Sequence, residues 1–298
     1  MRMPRMNLTP PATAAVAALI ILVSDAPGAD RKAWKDSSVQ AGDIKMRYLE
    51  AGTGDRAVVF ITDLAMIAEV WREQIPYFTS RGYRVLAIDP RSQGGSSKTD
   101  NGNSALQQAA DLHEFLKAVK AERAALVAWG FGVQVVVDYL SSPDSIMPDR
   151  VVFVDGVPIG HQAEDFSSGT TLQRIRNTLT LIQQDRQKWT EGWIRGMFRT
   201  RPQEILVKEM QEGSLKTPSG ALLAQIFDLY TGDWRLALAR ISVPTLVVVP
   251  DTSRIVGEYI QGKVKRARLE VVPEAGHALF LEKPQYFNQV LEGFLDGK

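Results

Sequence analysis

A chain of 298 residues, 45% of them hydrophobic, has the length of one α/β domain with an insertion and ample material for a core. Its 35 Lys and Arg stand against 34 Asp and Glu, and setting aside Arg2, Arg5 and Asp25 leaves 33 of each, so no charge excess directs it to nucleic acid or to an anionic membrane surface. The absence of cysteine excludes disulfides and a lipid-anchored start.

In chain order, Arg2 and Arg5 precede an apolar stretch, Ala12 to Val23, which gives way to Ser24-Asp25-Ala26-Pro27-Gly28-Ala29. A charged start, a short apolar run and small residues form the pattern of a secretory signal peptide, and the run is too short to span a bilayer comfortably. Residues 1–29 are therefore expected to be a leader cleaved between Ala26 and Ala29. The mature protein would be exported, periplasmic or extracellular, with no stable membrane span.

Beyond the leader, short apolar runs rich in β-branched residues alternate with amphipathic segments. Val58-Val59-Phe60-Ile61, Arg84 to Asp89, Ala124-Ala125-Leu126-Val127, Val151 to Asp155, Thr245 to Val249 and Leu269 to Val272 read as strands covered on both faces. Val70 to Phe78, Ala105 to Val119, Val133 to Leu140, Ile255 to Val264 and Tyr286 to Leu295 read as helices. This alternation predicts a mostly parallel sheet with helices on both sides. Residues 157–240 interrupt it as a helical insertion. There Leu172, Ile175, Leu179 and Ile182 share one helical face, Trp189, Trp193 and Met197 share another, and Arg195, Arg199 and Arg201 form a basic cluster. A solvated face is the plain reading of that cluster, with anion binding as the alternative.

The most informative segment is Ala128-Trp129-Gly130-Phe131-Gly132, a sharp turn between a strand and a helix. It resembles the G-x-S-x-G nucleophile elbow, with Ala128 and Gly132 as the small flanks and Gly130 in the serine's place. Glycine reaches positive φ without steric cost, so the turn survives and the hydroxyl does not. With the loops Asp89 to Ser97 and Gly276-His277-Ala278-Leu279-Phe280-Leu281-Glu282-Lys283-Pro284, the chain resembles the α/β-hydrolase fold superfamily over roughly residues 38 to 297. The resemblance implies a core of residues 30–156 and 241–298, a helical cap at 157–240, a small-molecule ligand or substrate, and neither cofactor nor metal.

It also implies places for the catalytic groups. His277 stands at the histidine's position, and Ser253 stands where the acid usually follows the seventh strand, with Asp251 two residues early. Asp155 occupies an alternative acid position after the sixth strand. Gly130 and Ser253 are thus vestigial nucleophile and acid positions, and His277 oriented by Asp155 is the expected catalytic pair. Phe131 N–H and Leu64 N–H would be the oxyanion donors beside Trp129. Thr62-Asp63 replaces the usual His-Gly, and a carboxylate at Asp63 would oppose an oxyanion unless it points away. Asp63 could instead bind a ligand donor or cap the helix expected near Ala68. Some of Trp189, Trp193 and Phe198 are expected to line the pocket under the cap.

Three functions are consistent with these departures. The first is an exported protein with a degenerate serine-hydrolase site that binds a small apolar or aromatic ligand. The second is a non-serine enzyme using a His277–Asp155 base, whose second nitrogen faces the space vacated at Gly130. The third is an ester or amide hydrolase drawing an atypical nucleophile from Ser92, Ser96 or Ser253.

Overall fold

The computed structural model describes residues 33–298, so the expected leader lies outside the described residues. Eight strands, β1 (Lys35–Ala41), β2 (Ile44–Ala51), β3 (Arg56–Ile61), β4 (Tyr83–Ile88), β5 (Ala125–Trp129), β6 (Val151–Val154), β7 (Thr245–Pro250) and β8 (Ala267–Val272), form one sheet in the order β1-β2-β4-β3-β5-β6-β7-β8. The pairs β1–β2 and β2–β4 are antiparallel and all others are parallel. The strands from β3 onward coincide with the apolar runs within a residue or two. β1 and β2 do not show as such runs, because β1 is an edge strand whose sequence, KDSSVQA, is mostly polar.

Because successive strand residues point to opposite faces, each central strand feeds two cores. Val59, Ile61, Leu126, Ala128, Phe153 and Val247 pack on one side with α2 (Ala105–Ala118), α3 (Phe131–Ser141) and α9 (Arg254–Lys263). Val58, Phe60, Val127, Trp129, Val152 and Val248 pack on the other with α1 (Gln74–Thr79), α10 (Leu279–Glu282) and α11 (Pro284–Leu295). Each fully buried Val or Phe stabilises the fold by about 1.5–3 kcal/mol. The helix expected over 70–78 divides into a 3-10 turn at Ala68–Trp71 and α1. Pro76 explains the break: it lacks an N–H and is tolerated only in a first helical turn, so the α-helix begins at Gln74.

The insertion is helical: α4 (Leu172–Gln184), α5 (Arg186–Gly196), α6 (Glu204–Ser214), α7 (Ser219–Thr231) and α8 (Arg235–Leu238). Asp185 ends α4 and caps α5, its side chain accepting from Lys188 N–H at 2.9 Å, which sets a sharp bend between them. Of the stripe expected on α4, Ile175 and Ile182 are buried, while Leu172 is 75% exposed. Leu172 is the first residue of that helix. Arg195 pairs with Glu191 and Glu204, and Arg201 with Glu204, so neighbouring carboxylates balance most of the basic cluster.

Candidate active site

The ends of β3, β5, β6 and β8 meet at the carboxyl edge of the sheet, where open α/β sheets place their sites. β5 runs into Gly130, with φ 56° and ψ −120°, and α3 begins at the next residue. That backbone suits glycine. Gly132 is tight as well, though less so, since a Cβ there would lie 3.0 Å from Ile61 Cγ2 and Thr62 O.

The end of β3 brings Asp63 into the space above Gly130. Its Oδ1 accepts the Phe131 N–H at 2.6 Å, which makes Asp63 the cap of α3 and places its charge at the positive end of that helix. The expectation that Asp63 caps a helix near Ala68 is corrected, because Ala68 N–H is taken by Asp89 Oδ1 at 2.7 Å. Of the two oxyanion donors expected, Phe131 N–H is not free. Asp63 Oδ1 already accepts from it.

A Cβ built on Gly130 would lie 2.2 Å from both Cγ and Oδ1 of Asp63. The carboxylate therefore fills the volume a serine side chain at position 130 would need. The volume beside Gly130 is not vacant, contrary to the sequence expectation, because the Asp63 carboxylate occupies it.

His277, in the loop after β8, lies between two carboxylates. Nδ1 is 2.7 Å from Asp155 Oδ2 and Nε2 is 3.2 Å from Asp63 Oδ2. Asp155 follows β6 at φ 43°, and its N–H bonds to Val248 O at 2.9 Å, fixing the turn that aims its side chain. Trp129 donates its Nε1–H to His277 O at 3.0 Å, and its ring lies 5.0 Å from the imidazole. Burial by itself pushes the imidazole down. Hydrogen bonds to Asp155 and Asp63, with the charges of both, outweigh it and raise His277 to about 10. At neutral pH both ring nitrogens then carry protons, so the resting histidine is an acid rather than a free base. Its side chain is 26% exposed, against 6% for Asp63 and 10% for Asp155, so His277 is the most solvent-accessible of the three.

Other candidates lie elsewhere. Ser253 sits in a 3-10 turn after β7, and neither ring nitrogen of His277 bonds to it. Ser92 pairs with Thr99, and Ser96 bonds to Asp89 O and Arg47 N–H, so both hydroxyls serve the loop after β4. Trp189 and Trp193 stack on each other at 5.1 Å, and Phe198 lines a groove of about 360 Å³ with Thr200, Pro202, Ile205, Leu206 and Leu281. That groove does not include His277, Asp63 or Asp155. In the cap, the phenol of Tyr230 on α7 is pushed up chiefly by burial, with a smaller contribution from the charge of Asp63. Sequence reasoning missed it, since a tyrosine on an amphipathic helix carries no motif. The Asp63–Gly130 exchange was detectable only as two simultaneous departures from one pattern.

Comparison with known proteins agrees with this architecture. The family model described as alpha/beta hydrolase family matches residues 51–290. A serine hydrolase of Homo sapiens is 25% identical over 268 residues, covering 87% of this chain and 86% of its own. Epoxide hydrolase A of Mycobacterium tuberculosis is 37% identical over 101 residues, 33% of this chain and 31% of its own. Among solved structures, an esterase from Exiguobacterium antarcticum superposes with a TM-score of 0.84 at 22% identity, covering 88% of this chain and all of the other. No helix among the described residues is long and apolar enough to cross a membrane. With the sheet order, the elbow turn and the family match in agreement, this chain belongs to the alpha/beta hydrolase family.

Proposed function

We propose that this protein is a small-molecule hydrolase that works without a serine, with Asp63 in the nucleophile's place, His277 as proton donor and acceptor, and Asp155 orienting it. The observation that carries the reading is the overlap of the Asp63 carboxylate with the position of a side chain on Gly130. One carboxylate oxygen is held by Phe131 N–H and the other faces His277 Nε2, next to the group that can supply a proton.

A carboxylate attacks electrophilic carbon, and an epoxide is the substrate class that also uses the acid. Asp63 Oδ2 forms a bond to an epoxide carbon, the carbon–oxygen bond breaks, and the leaving oxygen takes the Nε2 proton of His277. The product is an Asp63 ester beside a neutral imidazole. Esterification removes the Asp63 charge, one of the two influences that keep His277 protonated, so Nε2 becomes a base at the moment one is needed. Water gives a proton to Nε2 and its oxygen bonds to Asp63 Cγ. Collapse expels the diol oxygen, which takes the proton of the intermediate's hydroxyl. Asp63 and the imidazolium are restored, and the sum is epoxide plus water giving diol.

Styrene oxide in heavy-oxygen water is the test. Under single-turnover conditions the heavy oxygen is expected in the Asp63 peptide, and purified protein is expected to resist fluorophosphonate labelling. Label found only in the diol would show that Asp63 activates water instead of attacking carbon. Stoichiometric labelling of any serine by the fluorophosphonate would sink the serine-free reading altogether.

A second reading, a degenerate site that binds a small apolar or aromatic molecule without turnover, is favoured by the burial of Asp63, 4% exposed. Tight binding without diol formation in the same assay would select it.

We further propose that residues 1–29 direct export. Protein recovered from its native host is expected to begin within a few positions of Ala29. An intact Met1 on protein taken from the cytoplasm would refute this.

A further inference from the structure

The carboxylate of Glu282, at the end of α10, makes four hydrogen bonds that join two parts of the molecule. Oε2 accepts from Gly276 N–H at 2.6 Å, the residue before His277, and from Arg199 N–H at 3.1 Å, in the cap segment after α5. Oε1 accepts from the N–H and the hydroxyl of Thr200, each at 3.0 Å. On the other side of the histidine, Ala278 N–H donates to Met197 O at 2.9 Å. The backbones also touch: a Cβ on Gly276 would lie 2.4 Å from Met197 O and 2.7 Å from Arg199 N, so only glycine fits. Residues 197–200 of the cap therefore grip the histidine loop on both flanks of His277, and Met197 itself is buried.

We propose that Glu282 is a positioning residue for His277, and that through it the cap segment 197–200 sets how closely the imidazole sits between Asp63 and Asp155. The inference rests on His277 being the working group of the proposed function, but it is read out on the histidine and not on turnover. The chemistry favours a carboxylate at this position. Both oxygens receive N–H donors, so an amide would turn its own N–H groups toward at least one of them, whereas a carboxylate accepts everywhere. In the adjoining groove Arg72 pairs with Glu209 and Arg201 with Glu204, Glu73 also borders it, and the charged side chains of Arg199 and Lys283 adjoin Glu282 along the chain or its hydrogen bonds.

The test is to follow the ring protons and titration of His277 by nuclear magnetic resonance in Glu282→Ala, Glu282→Gln and Thr200→Val. Glu282→Ala is expected to lower the apparent pKa of His277 by about one unit or more, because a loosened loop lengthens the contacts that favour the charged ring. Glu282→Gln should fall between it and the parent, since an amide can keep Gly276 N–H while losing Thr200 N–H. Thr200→Val, which removes one hydroxyl at an exposed position and keeps the fold testable if the Glu282 variants do not fold, should shift His277 in the same direction by less. If amide exchange at residues 199, 200 and 276 speeds up while His277 titrates as in the parent, Glu282 merely fastens the cap and the proposal is wrong. That outcome would leave the serine-free reading intact. Failure of the heavy-oxygen experiment with a shifted His277 would do the reverse.

Discussion

Gly130→Ser alone is expected to destabilise the protein by about 2–4 kcal/mol, roughly 5–10 °C in Tm, and to yield no fluorophosphonate labelling. Two costs combine at that position. A non-glycine residue must hold φ 56°, and its Cβ must displace a carboxylate 2.2 Å away that is bonded to both Phe131 N–H and His277. Asp63→Gly alone should also destabilise, because it takes one partner from a protonated histidine and leaves the Phe131 N–H without its acceptor. The double variant should be more stable than the sum of the singles predicts, since glycine at 63 clears the volume that serine at 130 requires, and contacting residues do not add. It alone should present a hydroxyl next to His277 and Phe131 N–H, and it alone should react with the fluorophosphonate. Thermal melts and mass spectrometry on the four proteins check both halves. Additive melting shifts, or labelling in Gly130→Ser by itself, would show that the carboxylate does not hold the nucleophile's place.

The second large effect is on pH dependence. His277 is held up to about 10 in the folded protein, against an ordinary value of about 6.5 in an unfolded chain. A group raised by folding stabilises fully where both states are protonated, below about pH 6.5. The contribution then declines with rising pH and is lost near pH 10. Comparing the protein with His277→Gln by denaturant titration should therefore show the largest difference in the acid-to-neutral range. There, removing the cation leaves Asp63 and Asp155 facing one another without it, a loss on the order of 3–5 kcal/mol. The difference should shrink steadily from pH 7 to pH 10. Of the three histidines in the chain, the resonance absent from the variant identifies His277. An apparent pKa near 6.5 for that resonance would mean the ring is not clamped between carboxylates, and the proposed proton donor would be lost with it.

How much of this was legible beforehand depends on whether the information was local. The central strands and most core helices follow from runs and periodicities within a single segment: Val151 to Val154 is buried on both faces, and α3 repeats apolar residues on every side. The elbow was equally local, because a strand, a small residue, a sharp turn and a helix lie within consecutive positions, and the absence of serine at Gly130 is visible without coordinates. Sequence order along the α/β pattern also placed Asp155 and His277 at ends of parallel strands, on one edge of the sheet. The mostly polar edge strand β1 gave no such signal, since burial on one side only does not produce an apolar run.

What tertiary structure alone decided is which groups touch. Asp63 and Gly130 are far apart in the chain, and only the parallel pairing of β3 with β5, with Ile61 beside Ala128, brings the carboxylate over the glycine. From the sequence, Asp63 was an obstacle to an oxyanion and Gly130 an empty place. In space they share one volume, the Asp63 carboxylate lying where a side chain on Gly130 would have to go. The upward push on His277 follows from the same contact, because a single carboxylate would orient an imidazole while a second, reached across the sheet, favours the charged ring further. The grip of the cap on the histidine loop was likewise invisible, since Glu282 acts through backbone N–H groups that every sequence possesses and only a fold can aim.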